Sequence, residues 1–398
     1  MNKVLFVYHV SSVGGGSYCL LNILKSINRD YILPVVLLSK EGSLVDEIKK
    51  LGITVYFLET LCSVPYNTNL LRYGSLNKII KITRSKSRFK ELLSQICPDT
   101  VYFNSMMLYP YLRISKEKGC KTFIHIREHW EAGEHKYQRY HALKTISKYA
   151  DEIVAINRFS ASMIAPFGRD ASIIYDWINL SSRYEERPLR DIFDEDMEGK
   201  KVFLYTGGMQ EIKGAYEVLK AFTSFVKGEE FRLLALGINV DIKYSGIKHF
   251  AKSILNLFGI KTYVDLVLKE ISEDNRIKCI PGTYNITHLY NQAYCVISYF
   301  TIPHANLSLA EAIISESFAI AARTDEALEY SKEGELALLF KMNDFEDFKD
   351  KIQSIGEVRD SYINELKKSS REIELLFSPS ANIVKLNKLL KNEGNSNL

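Results

Sequence analysis

Short apolar runs along this chain alternate with longer stretches in which apolar residues recur every three or four positions. Val4–Tyr8 is such a run, and it leads into a glycine-rich turn, Gly14-Gly15-Gly16-Ser17. Leu20, Leu21, Ile23, Leu24 and Ile27 then fall at helical spacing. The alternation continues with Leu33–Leu38, a helical pattern over Leu44–Leu51, and Val55–Leu58. Thr100–Phe103 and Thr122–His125 follow, each after a helical segment, and then Glu152–Ile156 and Ser172–Tyr175. Short buried runs alternating with helices predict βαβ units and a parallel sheet.

The pattern breaks once. Glu185 to Lys200 holds seven acids, one Pro and no sustained apolar period, the composition of a linker. The alternation then restarts. Val202–Thr206 reads as a strand, Gly207-Gly208 as a turn and Ala215–Val226 as a helix. Phe231–Leu236, Ile277–Ile280, Cys295–Tyr299 and Ala319–Ala322 read as strands, and Leu307–Ser315 and Asp344–Ile355 as helices. Ala381–Leu390 is apolar at helical spacing, with Lys385, Lys388 and Lys391 on the other face. The expected organisation is therefore α/β, with two doubly wound parallel-sheet domains facing across a cleft. The N-terminal domain spans 1–184, the linker 185–200 and the C-terminal domain 201–380, and the helix in 381–398 packs back on the first domain. Ligands of such sheets bind outside the carboxyl ends of the strands.

A length of 398 residues suits two domains. A charged fraction of 25% excludes bulk disorder. Six cysteines, at 19, 62, 97, 120, 279 and 295, form no C-x-x-C pair and so suggest neither a zinc ribbon nor a redox motif. No apolar run is long enough to span a bilayer, and the first residues run directly into a strand-like stretch without a signal-type h-region. A cytoplasmic location is expected. The net charge of +4 hides an asymmetry: Thr60 to Ala150 carries 16 Lys/Arg against 6 Asp/Glu, and there is no acid between Thr60 and Lys90. Arg72, Lys78, Lys81, Arg84, Lys86, Arg88 and Lys90 sit among Leu70, Leu71, Tyr73, Leu76, Ile79, Ile80, Ile82 and Phe89. Residues 70–90 are thus either a solvated helix packing its apolar side on its own domain, or a contact with an anionic membrane on its inner face. No RRM, KH or zinc-finger pattern points to nucleic acid.

Four constellations can carry chemistry. Gly14-Gly15-Gly16-Ser17 precedes a helix, where free backbone N–H groups attract anions, but a simple tight turn explains it as well. Gly207 to Gly214 also links a strand to a helix, and its Lys213 can neutralise a diphosphate or be an ordinary loop lysine. In Pro303-His304-Ala305-Asn306-Leu307-Ser308-Leu309-Ala310-Glu311 a loop enters a helix, and Glu311 can accept ribose hydroxyls or simply face solvent. His125-Ile126-Arg127-Glu128-His129 ends a strand, and its two histidines lack a third ligand at metal-binding spacing, so no metal site is expected.

In order and context these segments resemble the retaining GT-B glycosyltransferases of the large family 4 type, over nearly the whole chain. Gly14–Ser17 resembles that family's acceptor-side Gly-Gly loop, and His125–Glu128 its central histidine segment. Tyr149–Asn157 is similar to its "ADxIIAxS" strand, and Tyr175-Asp176-Trp177-Ile178-Asn179 takes the place of its "pNGVD" segment. Gly207–Gly214 resembles "GRLxxxKG", and Glu311-Ala312 with Ala319–Ala322 resembles "EAMAxGxPVIA"; Glu329 matches a later Glu. Two positions depart: Gly208 stands where the family has Arg, and Pro303 where it has the first Glu of a pair.

The resemblance implies two Rossmann-like domains and transfer of a sugar, with retention, from a nucleoside diphosphate sugar, UDP- or GDP-linked, with no metal or other cofactor. It implies His125, Lys213 and Glu311 as catalytic residues. Gly207, Gly208, Asn306, Leu307 and Glu311 would hold the donor, and Gly14, Gly15, Gly16, Ser17 and Arg127 would line the acceptor side. The expected acceptor is a saccharide or lipid-linked saccharide, as in bacterial surface polysaccharide synthesis. Gly208 and Pro303 favour a second reading, a non-catalytic partner of another transferase. A nucleotide-sugar epimerase of the same architecture is a third.

Overall fold

The inner apolar runs become strands whose side chains are covered on both faces of a parallel sheet, while the edge strands Thr54–Phe57 and Ser172–Ile173 stay partly exposed. In the computed structural model, which describes residues 1–12, 14–64, 73–130, 133, 135–178, 189–240, 261–282 and 286–391, there are two such sheets. They belong to separate units: Met1–Ile178 with Leu376–Leu398, and Asn179–Leu375.

The first unit holds β1 (Asn2–Val7), β2 (Ile32–Leu38), β3 (Thr54–Phe57), β4 (Thr100–Phe103), β5 (Lys121–Ile126), β6 (Glu152–Ala155) and β7 (Ser172–Ile173). Their spatial order is β3-β2-β1-β4-β5-β6-β7, and every pairing is parallel. One face carries a core of Val4, Phe6, Leu20, Leu24, Val36 and Ile48, and the other a core of Leu5, Val7, Phe89, Phe103, Leu112 and Ile146. The chain's last described helix, Pro379–Leu390, lies on the first of these faces through Leu386 and Leu390. Asn382 anchors it: its Oδ1 accepts from the Tyr175 amide at 3.0 Å and its Nδ2 donates to the Leu376 carbonyl at 2.8 Å.

The second unit holds β8 (Lys201–Tyr205), β9 (Phe231–Leu236), β10 (Ile277–Ile280), β11 (Cys295–Ser298), β12 (Ala319–Ala322) and β13 (Leu338–Phe340), in the order β10-β9-β8-β11-β12-β13. The helix read from Asp344 to Ile355 extends over Phe345–Leu376, because Leu366 and Ile373 resume the buried stripe begun by Phe348 and Ile352. Within the acidic stretch 185–200, Leu189–Phe193 is a helix and Glu195 makes a paired contact with the Arg232 guanidinium, through Nε and through Nη2 at 2.6 Å; 185–188 lie outside the described residues.

The basic stretch becomes the helix Tyr73–Ile96, while Leu70, Leu71 and Arg72 lie outside the described residues. Ile82, Phe89, Leu93 and Ile96 are buried in the unit's own core, and Lys81, Arg84, Arg88 and Lys90 are exposed. Ile80 stays 43% exposed. Among the described residues no helix is long and apolar enough to cross a membrane.

Candidate functional site

In a doubly wound sheet the strand order reverses at one point, and the loops leaving the two strands there diverge and open a crevice. In the first unit that point lies between β1 and β4, and in the second between β8 and β11. The sequence motifs sit at both.

In the first unit, β1 runs into the glycine turn and the helix Gly15–Ser26. Gly14 and Gly15 are exposed, and an added Cβ on either would meet nothing within 4 Å. The helix has no side-chain cap, and its first internal bond runs from the Tyr18 amide to the Gly14 carbonyl at 2.9 Å. The N–H groups of Gly15, Gly16 and Ser17 therefore precede the helical ladder. The Ser17 hydroxyl is engaged, donating to the Ser12 carbonyl at 2.6 Å. Gly16 packs over Tyr8, where any side chain would overlap the phenol oxygen.

β4 ends beside this turn. Asn104, just past it, donates from Nδ2 to the Gly16 carbonyl at 3.3 Å and accepts from Arg127 Nε at 2.9 Å. Arg127 Nη1 donates to both Asp176 carboxylate oxygens at 2.6 Å. This ion pair is almost fully enclosed, and the nearby carboxylate holds the guanidinium above its ordinary pKa against the cost of burial. His125, 1% exposed, lies next to it. Its Nδ1 is 2.7 Å from the Tyr102 hydroxyl and 3.2 Å from Arg127 Nη2, and its Nε2 is buried with no hydrogen-bond partner among the described residues. Burial, reinforced by the Arg127 charge, pushes the imidazole well below its ordinary pKa. Glu128 turns the other way and caps the 3-10 segment Met106–Tyr111, accepting from the Met106 amide at 3.0 Å and from the Ser105 hydroxyl.

In the second unit, β8 leads to Thr206 and the loop 207–214, which folds over Tyr205. The Tyr205 hydroxyl lies 3.0 Å from the Gly208 carbonyl and 2.9 Å from that of Lys213. A Cβ on Gly207 would overlap this phenol, and one on Gly214 would overlap the Tyr299 ring. Gly208 has φ +68°, and a Cβ there would sit 3.2 Å from the Gly237 carbonyl oxygen. Its amide donates to the Leu236 carbonyl at 3.0 Å, so Gly208 offers a ligand no free amide, and a side chain there would be strained and tightly packed. An Arg here would need this left-handed backbone and a small shift of Gly237. Gly208→Arg is expected to lower stability by about 1–3 kcal/mol, read as a reduced denaturant midpoint. An unchanged midpoint would mean that the loop has another path.

Lys213 closes this loop. Among the described residues no carboxylate pairs with its ammonium, and burial alone lowers its pKa. The loop is tied to the segment after β11 by the Thr301 amide, which donates to the Ile212 carbonyl at 3.0 Å. That segment enters the helix Leu307–Ile314 through Asn306, 1% exposed. Asn306 Oδ1 accepts from the Leu309 amide at 3.1 Å and the Ser298 hydroxyl at 2.6 Å, while its Nδ2 is buried with no partner among the described residues. The N–H groups of Leu307 and Ser308 lie ahead of the helical ladder. Thr206 and Ser308 share a hydroxyl contact at 2.7 Å.

Glu311 sits one turn inside, 6% exposed. Its Oε2 accepts from the Tyr290 hydroxyl at 2.6 Å, which leaves Oε1 without a protein donor among the described residues. Burial raises its pKa to about 7, and the Tyr290 hydrogen bond opposes that rise. Pro303 lies in the loop ahead of Asn306, and Glu329 on the helix Asp325–Tyr330.

The structure thus gathers His125, Arg127 and Gly16 in one unit, and Gly207, Gly208, Lys213, Asn306, Leu307 and Glu311 in the other. Asn104, Tyr102 and Tyr290 join them without a sequence signal of their own, as they are brought in only by strand and helix packing.

No family model matches the chain, and no curated protein matches it in sequence. Its fold is shared by solved structures. Anabaena Alr3699/HepE, solved with UDP and glucose, has a TM-score of 0.73 at 17% identity, covering 98% of this chain and 100% of its own. Trehalose-6-phosphate synthase OtsA has a TM-score of 0.72 at 11% identity, over 98% and 99%. A glycosyltransferase from Rickettsia africae ESF-5 has 0.64 at 17% identity, over 98% of each chain. At these identities the likeness is one of fold. The expected α/β architecture of two parallel sheets is the one observed.

Proposed function

We propose that this chain is a glycosyltransferase that takes its sugar from a nucleoside diphosphate sugar, with a UDP-sugar favoured because HepE, which shares the fold, was solved with UDP and glucose. The observation that carries the reading is at the β8/β11 reversal. Lys213, with no carboxylate partner among the described residues, lies on the loop that follows β8, and the helix start at Leu307 and the buried Glu311 carboxylate lie on the segment that follows β11. An anion receptor and a hydroxyl acceptor on adjoining loops suit a ribosyl diphosphate.

In this reading Lys213, the Leu307 and Ser308 amides and Asn306 Nδ2 hold the diphosphate. Glu311 accepts a ribose hydroxyl through Oε1, and His125 donates from Nε2 to the transferred sugar. Gly207 shapes the loop, and the Gly14–Ser17 turn meets the acceptor. The bond from the anomeric carbon to the diphosphate oxygen breaks through an oxocarbenium-like state. Charge builds on the departing diphosphate, where Lys213 and the amides stabilise it. The acceptor oxygen bonds to the same face, with retention, and its proton passes to the leaving diphosphate, so no protein base is needed. The exposed Lys81, Arg84, Arg88 and Lys90 suit a lipid-linked acceptor at an anionic membrane face, as in surface polysaccharide assembly.

Titration calorimetry with UDP-glucose, against GDP- and ADP-sugars, tests this. Saturable binding of one of them, weakened by Lys213→Met, is expected. Absence of binding across the panel would sink the reading and leave the non-catalytic partner, to which Gly208 and Pro303 point.

A further inference from the structure

The buried group around His125 does more than place a ring near a ligand. A neutral imidazole carries its proton on either nitrogen, and the choice decides whether the other nitrogen donates or accepts. Here the choice is dictated from behind. Arg127 can only donate, and its Nη2 lies 3.2 Å from His125 Nδ1. Tyr102 approaches the same atom at 2.7 Å, its ring at 86° to the imidazole. Burial pushes the Tyr102 hydroxyl far above its ordinary pKa, so it too keeps its proton. A guanidinium that can never accept leaves no place for a proton on that nitrogen, and the Tyr102 hydroxyl, which can donate or accept, then donates to it as well. Arg127 is held in this pose by Asp176 through Nη1 and by Asn104 through Nε.

We propose that Arg127 is a positioning residue that fixes His125 in one tautomer, with the proton on Nε2. The ring then presents a single hydrogen-bond donor and no base. It fits a ligand oxygen with a free lone pair, such as a sugar hydroxyl, and it cannot take the proton of an attacking acceptor. This role toward a sugar rests on the donor reading above, whereas the tautomer is a property of the free protein. The charged and titratable groups around the ring act in the same direction or are turned away. Tyr102 comes from β4, and Arg127 follows β5. Asp176 lies behind Arg127, with Cys19 and Tyr8 beside that pair, both kept neutral by burial. Glu128 is directed to Ser105 and Met106.

The test is nitrogen-15 NMR of the full chain labelled at histidine, with His125→Gln identifying the resonance among the eight histidines. The expected spectrum has a protonated Nε2 and an unprotonated Nδ1 that persist on acidification. Tyr102→Phe is expected to keep this signature, since Arg127 remains. Arg127→Gln is expected to lose it, giving a mixed tautomer or a ring that titrates. Because Arg127→Gln strands Asp176, the double variant Arg127→Gln/Asp176→Asn, with no unpaired charge, must behave the same way. A proton found on Nδ1 in the native protein would overturn the proposal. So would a signature that survives both Arg127 variants, or one lost in Tyr102→Phe alone. A protein with the expected signature that binds no nucleotide sugar would sink the donor reading and keep the lock.

Discussion

Lys213→Met is expected to weaken UDP-glucose binding roughly tenfold to a hundredfold while leaving the fold as stable as before. The size follows from a charge-assisted contact, worth about 1.5–3 kcal/mol. The unusual part is the stability. Most lysines near a carboxylate lose a partner when replaced, but Lys213 has none among the described residues, and burial makes its charge costly in the free protein. A cation held in this way is relieved when an anion arrives, so its removal is felt in the complex and not in the fold. Methionine keeps the apolar stem packed and deletes only the ammonium. If the lysine also meets charge that grows as the sugar departs, turnover falls further than binding, by roughly 10²–10³ in all. Calorimetry and a thermal melt on the same sample decide it. Affinity within twofold of the parent, or a loss of stability matching the loss of affinity, would remove Lys213 from the donor site.

Much of this was legible in the residues themselves. Short apolar runs and helical spacing place β1, β5, β8 and β11, because a strand covered on both faces has to be apolar throughout. The glycines of the two loops are readable for a related reason: Gly16 in one, and Gly207 and Gly214 in the other, lie against tyrosine side chains that leave no room for a Cβ. What was not legible is pairing. Nothing local links Tyr290 to Glu311, 21 positions away, or Arg127 to Asp176, 49 away. Those contacts exist because neighbouring elements of a parallel sheet end at the same edge. The amphipathic basic stretch shows the limit from the other side. Its pattern alone fits a membrane or a core, and only the structure shows Ile82 and Phe89 turned into the domain. Nor could the sequence show that Gly208 is held at positive φ with its amide engaged.

Glu311 should make stability and donor affinity run in opposite directions over one pH range. Its carboxyl, enclosed at the end of the Tyr290 hydroxyl, has its pKa raised from 4.5 to about 7. Between those values the folded chain holds a proton that the unfolded chain has released. Its contribution to stability is therefore full below the unfolded value and is lost as pH rises through about 7, by on the order of 3 kcal/mol. A ribose hydroxyl needs the opposite form, the carboxylate, with Oε1 free to accept. Donor binding then expels the proton, and affinity climbs as pH rises toward and through 7, by up to about tenfold per unit. UDP-glucose is the right probe, since its diphosphate is esterified at both ends and does not titrate near neutrality. Calorimetry in buffers of different ionisation heat should show proton release on binding at mildly acidic pH. Glu311→Gln should flatten both profiles. Tyr290→Phe, which removes a donor that favours the charged form, should move both to higher pH. Affinity that is flat across this range in the parent protein would mean that Glu311 does not meet the ribose, while a stability slope that disappears in Glu311→Gln would still identify it as the buried titrating group.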